Sequence, residues 1–180
     1  ERQSGGALGN GGSLGNLLFD KPGITGSTFS PGSSRPVIRG LDNFRVRVQE
    51  NGTSTLDVSE IGEDHAVPVD TLSADRVEVV RGPATLRYGS QAIGGVVSID
   101  NNRIPMPSTP FGFSGRIGSA FTSVDRGGEG SVAFDGRGKD VAMHLDAFAR
   151  NAGDYRIPGG TQANSAARAS RNEHSVARLE

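Results

Sequence analysis

The sequence predicts an α+β chain in two parts, and three observations lead there. Short Val- and Ile-rich runs, punctuated by Gly and Pro, fill the first hundred or so residues. Short helix signals sit among them. Beyond residue 110 the apolar pattern lengthens into alternating segments of about ten residues. Glycine supplies 27 of the 180 residues, about twice the ordinary share, so tight turns must be frequent. The length suffices for one domain with a real core, or for a domain and part of another.

Residues 1–12 are Gly-rich and read as a flexible start. Ser13 can cap a short helix in which Leu14, Leu17 and Leu18 share a face, and Lys21-Pro22-Gly23 stops it. Residues 26–34 read as loop. "RPVIRGL" reads as a short strand broken by Gly40. "FRVRVQENG" alternates, with Phe44, Val46 and Val48 on one face and Arg45 and Arg47 on the other; Asn51-Gly52 then turns the chain. Residues 53–68 read as a polar loop carrying Asp57, Glu60, Glu63, Asp64 and His65. Strands are expected near 76–81 and 95–100. Between them Pro83 opens a short helix over 84–88, closed by Gly89.

Three prolines within 105–110 mark a boundary, with 106–110 as linker. Beyond it Phe113, Ile117 and Phe121 lie on one side and Ser114, Arg116 and Thr122 on the other. Val132 and Phe134 alternate with Ser131 and Asp135. Val141, Met143, Leu145 and Ala147 alternate with His144, Asp146 and Arg150. Turns fall at 125–128 and 136–140. Three strands of an up-and-down meander fit an outer-membrane barrel and a soluble sheet with one wet face equally well. Residues 159–180 are polar and without a dependable period.

The bulk numbers exclude several functions. A net charge of -1 gives no electrostatic case for nucleic acid. Without cysteine there is neither a disulfide scaffold nor a thiolate metal site. No apolar run approaches the roughly 18 residues of a membrane helix. The chain begins at Glu1 without Met or signal segment and is read as processed or as a piece of a longer protein. No Walker pattern and no G-x-G-x-x-G occurs, and no spacing of Ser, His and Asp singles out a triad, so no enzyme and no cofactor is expected.

Asp64-His65 is the one metal-like feature. Carboxylate and imidazole suit zinc, but two adjacent ligands cannot close a tetrahedral site without Glu60, Glu63 or another segment. By residue chemistry alone, a surface dipeptide that binds nothing is the better reading. His144 and His174 read as solvated. Arg39 in "VIRG" and Arg81 in "VVRG" each end an apolar run before a Gly. Such an arginine can donate a forked pair of bonds to carboxylates, or simply sit in water.

"RPVIRGL", "DHAVPVD" and "DRVEVVRGPATLRYGSQAIGGVV", in this order, resemble the plug domain of TonB-dependent outer-membrane receptors. "GNLLFDKPGIT" is similar to the helix and turn that open the plug core. The resemblance covers residues 13–105, and 111–150 look like the first three barrel strands, so 111–180 is read as the start of the barrel. It implies a mixed-sheet globular plug with short helices, inside a 22-stranded barrel in the bacterial outer membrane. Arg39 and Arg81 match the arginines that lock plug to barrel through barrel glutamates, with Glu78 as a neighbour in that network. The implied partners are the rest of the barrel, a metal ion or metal chelate as cargo, and the energy-transducing TonB protein. TonB would be met through an N-terminal box that residues 1–12 do not show. "EDHAVPVD" resembles the plug loop of zinc-type receptors, which implies zinc cargo with Asp64 and His65 as ligands. A ferric siderophore is the alternative cargo, and a non-transport soluble binding or adhesion module the second alternative. Alone, such a piece would not transport, would bind zinc weakly and would expose strand edges prone to self-association.

Overall fold

A computed structural model describes residues 2–4, 13–27, 29–30, 32–101, 103–105, 109–162 and 168–178, the first and last of these stretches by their backbone. The first part of the chain builds a five-stranded mixed sheet. Its members are Arg2–Ser4 (β1), Val46–Glu50 (β4), Thr53–Ser54 (β5), Arg76–Val80 (β6) and Gly95–Asp100 (β7), in the order β1-β6-β7-β4-β5. A helix, Leu14–Leu18 (α1), and a hairpin of Ile24–Gly26 (β2) with Pro36–Ile38 (β3) lie beside it. The β4–β7 pair is parallel; the other pairs of that sheet are antiparallel.

Alternation explains which face is buried. Val46, Val48, Val77, Val79, Val97 and Ile99 share one sheet face and meet Leu14, Leu18, Ile24 and Ile38 in a single core cluster. Each such side chain, fully withdrawn from water, contributes about 1.5–3 kcal/mol. The expected helix forms over the residues anticipated. Ser13 takes the N-cap position with extended backbone, but its hydroxyl makes no capping bond; the first turn is closed instead by Leu17 N–H donating to the Ser13 carbonyl at 3.2 Å.

Three details depart from the sequence reading. Phe44 is not on a strand. Asn43 adopts φ 53 and starts a 3-10 turn, Asn43–Arg45, so β4 begins only at Val46 and Phe44 is left exposed. The short helix expected over 84–88 forms as a 3-10 helix and begins two residues earlier, running Gly82–Tyr88, with Pro83 in its first turn and Gly89 at φ 96 ending it. Arg2–Ser4, read as part of a flexible start, pairs with the open edge of β6, where backbone groups accept a partner of almost any sequence. The rest of that start, residues 5–12, lies outside the described residues, as do linker positions 106–108.

The second part is a four-stranded antiparallel sheet of Gly112–Thr122 (β8), Gly127–Arg137 (β9), Val141–Asn151 (β10) and Arg168–Arg178 (β13), in the order β13-β10-β9-β8. Between its last two strands Tyr155–Ile157 (β11) and Gly160–Gln162 (β12) form a small hairpin. The three long strands expected from alternation are there, each of 11 residues. Strand β13 departs from expectation, because its own residues carry no period; its partner β10 dictates its pairing. Phe113, Ile117 and Phe121 are 87%, 86% and 85% exposed, and Phe134 and Leu145 continue that apolar face. Phe134 lies over Gly115, and Phe113 over Gly136, so the rings cover glycines that bring no side chain of their own. The opposite face turns toward the mixed sheet, which it meets through Arg116 and Asp146.

Gly15 packs α1 against the hairpin. A Cβ there would lie 2.7 Å from the Ser34 carbonyl carbon and 2.8 Å from that of Arg35, and backbone cannot swing away as a side-chain tip can. Gly15→Ala is therefore expected to destabilise the first part of the chain by about 1–3 kcal/mol, read as a lower denaturant midpoint with an unchanged slope.

Candidate functional site

The parallel β4–β7 pair places the starts of both strands, and the end of antiparallel β6, at one end of the mixed sheet. The loops before β4, before β7 and after β6 therefore gather there. Gly94 N–H donates to the Arg45 carbonyl at 2.8 Å and joins two of them. The third element is the loop that holds a 3-10 turn, Val58–Glu60, and then Asp64 and His65; with Asn43 it lines a small cavity floored by Val46 and Val48.

Arg35, which carries no signal in the sequence reading, holds that loop. Its side chain is 4% exposed. It donates to the carbonyls of Ser59 and Gly62, the latter at 3.4 Å, and approaches the Glu63 carboxylate at 3.8 Å. Asp57 accepts the Ser59 N–H at 3.3 Å and so shapes the turn. Asp64 and His65 project from the outer end of the loop, exposed, with His65 Nδ1 2.8 Å from Asp64 Oδ1. That hydrogen bond holds the Asp64 carboxyl below the ordinary carboxylate range, assisted by a backbone bond. A side chain at Gly62 would collide with both residues. Among the described residues no group of three or more His, Cys, Asp and Glu could hold a metal ion. Neither Glu60 nor Glu63 joins the pair in a ligand set.

The two Arg-Gly motifs meet at one place. Arg39 (φ 53) and Gly40 (φ 78) form a two-residue turn closed by reciprocal Ile38 and Leu41 backbone bonds, so Arg39 stands exposed at its tip. Its N–H donates to the Gly23 carbonyl at 3.1 Å. Arg81, at the end of β6, donates from Nη1 to the Pro22 carbonyl at 2.6 Å. Both motifs thus fasten the turn that follows α1. Glu78 lies apart, in mid-strand, on the sheet face it shares with Arg76, whose charged form it helps to favour after the larger influence of Asp100.

His144 corrects its reading as a solvated residue. It is 2% exposed, on the inner face of β10, where its ring lies between Asp135 and Asp146 and where Arg103, from beyond the mixed sheet, also reaches. The His174 side chain lies outside the described residues.

Residues 6–96 match the family model of the TonB-dependent receptor plug domain. The chain belongs to that family, whose place is the bacterial outer membrane with the plug inside a barrel. The chain is 32% identical over 157 residues to the "Hemin receptor" of Yersinia enterocolitica, covering 82% of this chain and 22% of that protein. It is 31% identical over 102 residues to the "Ferric enterobactin receptor" of Pseudomonas aeruginosa, covering 48% of this chain and 13% of that protein. The chain therefore spans about a fifth or less of these curated relatives. Among solved structures, the siderophore receptor PirA from Pseudomonas aeruginosa aligns at TM-score 0.62 and 20% identity, over 91% of this chain and 28% of that one. The copper transporter OprC aligns at TM-score 0.71 and 16% identity, over 89% and 25%. At those identities the two structures share the fold. The named relatives are receptors, not enzymes, and their names do not support the zinc-type subgroup.

Removing His65 takes away the main cause of the low Asp64 titration. In His65→Ala, the Asp64 carboxyl is expected to titrate at higher pH than in the wild type, followed by carboxyl carbon NMR. An unchanged midpoint would assign the shift to the backbone bond instead.

Proposed function

We propose that this chain is the plug and the first barrel strands of a TonB-dependent outer-membrane transporter whose cargo is an iron chelate, a ferric siderophore or haem. The observation that carries the cargo reading is the chemistry of the loop end. Phe44, Val58, Ile61, Leu86 and Ile93 stand exposed on the loops that gather there. A bare metal ion needs several fixed ligands, and among the described residues no third His, Asp or Glu joins Asp64 and His65. A chelate brings its own ligand atoms and needs apolar surface with a few polar groups to orient it. The hemin and ferric enterobactin receptors among the relatives support the same choice over zinc. On this reading Asp64 and His65 touch the chelate's edge rather than the metal.

The remaining roles follow from the same assignment. The four-stranded sheet begins the barrel, its apolar face toward lipid. Residues 13–105 form the plug, 106–110 the linker and 111–180 the barrel start. TonB acts as the energising partner through a segment ahead of the plug core. Arg39 and Arg81, placed together at the turn after α1, present their guanidinium groups to carboxylates of the barrel wall, while Glu78, in mid-strand beside Arg76, stands outside that pair.

Purified full-length receptor, wild type and His65→Ala, should be titrated with hemin, ferric enterobactin and zinc. An iron chelate is expected to bind, and the substitution to weaken it by less than about tenfold, as the loss of one hydrogen bond would. Zinc binding that falls tenfold or more in His65→Ala would overturn the chelate reading in favour of zinc. Separately, Arg81→Ala is expected to raise entry of a large antibiotic through the receptor and to destabilise the docked plug by about 3–5 kcal/mol, because barrel carboxylates lose their partner. No change in either would confine Arg81 to its bond with Pro22.

A further inference from the structure

The end of the plug opposite the loops carries a second network, built from residues that no motif picks out. Asn101, just past β7, is buried. Asn51 donates to its side-chain oxygen at 2.7 Å, and its own amide donates to Glu50 Oε1 at 2.8 Å. Arg103 N–H donates to that same Asn101 oxygen at 3.2 Å, which turns the Arg103 side chain toward the four-stranded sheet. There Nε and Nη2 form a fork on Asp146, at 3.0 and 3.4 Å, while Nη1 stays 3.4 Å from Glu50. Arg103 is 13% exposed and Asp146 3%. One guanidinium is therefore shared between a plug carboxylate and a wall carboxylate, with water largely excluded.

The row continues into the wall. His144 Nε2 lies 3.1 Å from Asp146 Oδ1, and Nδ1 lies 2.7 Å from Asp135 Oδ1 on β9. Carboxylates only accept, so a ring nitrogen that carries hydrogen donates to the carboxylate beside it. Glu50, Arg103, Asp146, His144 and Asp135 thus form one continuous row of polar contacts from plug to wall. A second ion pair crosses the same interface with the opposite polarity, from Arg116 of β8 to Asp75 of the plug. Strand register makes the arrangement specific. His144 faces Asp135 across β9 and β10, and a slip of one residue would send His144 and Asp146 to the apolar face.

We propose that Arg103, Asp146, His144 and Asp135 form a plug-to-wall clamp separate from the one assigned to Arg39 and Arg81, and that this exit end is the firmly held end of the plug. The inference rests on the plug-and-barrel reading above but not on the cargo. The clamp residues from Arg103 to His144 are buried or nearly so against wall strands that this chain itself supplies. A forked arginine bond fixes direction as well as distance, so the chain leaves the plug toward β8 along one path.

Hydrogen exchange of the full-length receptor, without cargo, tests this independently of what the receptor carries. Wild-type amides of Asn101 and Arg103, each bonded to an Asn side-chain oxygen, are expected to exchange more slowly than those at 57–65. Arg103→Ala and Asp146→Asn should each speed exchange at positions 101 and 103 by about tenfold or more, with the plug core strands 77–79 and 97–99 unchanged. The double variant should be no faster than the faster single one, since both remove the same bond. Where Asp146→Asn does not assemble, His144→Gln replaces it, with a smaller acceleration expected. The clamp is overturned if Arg103→Ala leaves the amides at 101 and 103 as protected as before, if the two effects multiply as independent sites do, or if 57–65 is the better protected segment.

Discussion

Strand β7 is the element on which the rest of the plug depends. It lies at the centre of the mixed sheet, with β4 parallel on one side and β6 antiparallel on the other. Val96, Val97 and Ile99 on it are essentially sealed from water, so it is covered on both faces at its centre. A parallel neighbour cannot be reached by a tight turn. The chain between β4 and β7 must make the return crossing, and it does so through β5, the polar loop and β6. That single pairing sorts the molecule into two ends, because the starts of β4 and β7 must coincide and so must their finishes.

The two ends then use arginine differently. Near the loops, Arg35 and Arg47 point inward and direct their donors at backbone carbonyls, of Ser59 and Gly62 in one case and of Tyr88 at 2.6 Å in the other. Turns leave carbonyls without helix or sheet partners, and a buried guanidinium satisfies several at once without adding a buried carboxylate. At the exit end the partners are carboxylates: Arg76 with Asp100, Arg103 with Glu50 and Asp146, Arg116 with Asp75. Pairing with backbone holds a loop's shape; pairing with carboxylates across an interface selects which surfaces meet. The first suits a surface that must present side chains outward, the second a junction between two bodies.

What the sequence made legible was local. Leu14–Leu18, the Asn51-Gly52 turn with both residues at positive φ, the Pro83–Gly89 segment and the three long strands all depend on neighbours within a few positions, and their spacing declares them. What stayed hidden depends on distant partners. Phe44 has the alternation of a strand residue, but Asn43 turns the chain and Gly94 takes the Arg45 carbonyl. Strand β13 exists because β10 offers it an edge. Arg103 gives no signal, since its meaning comes from Asp146, 43 residues away. His144 lies on the polar face of its strand as expected; nothing local says that the plug covers that face. Asp64-His65 stands out as a metal-like pair, yet among the described residues no third ligand joins it, because such a ligand would have to come from a distant segment.

The two Arg-Gly motifs show how far similar letters go. In "VIRG" the arginine itself takes the left-handed backbone, φ 53, and its glycine follows at 78. In "VVRG" the arginine is extended, φ -133, and only the glycine turns, again at 78. One motif is therefore a hairpin tip and the other a strand-to-helix corner. They still converge, one by a backbone N–H on Gly23 and the other by a guanidinium on Pro22. A side chain at Gly23 would stand 3.3 Å from the Arg81 Nη1, at a φ of 71 that already favours glycine. The turn after α1 is thus shaped by both arginines at once. The Arg39 backbone and the Arg81 guanidinium therefore tie the hairpin tip and the end of β6 to the same turn after α1, apart from the Arg103 row at the exit end.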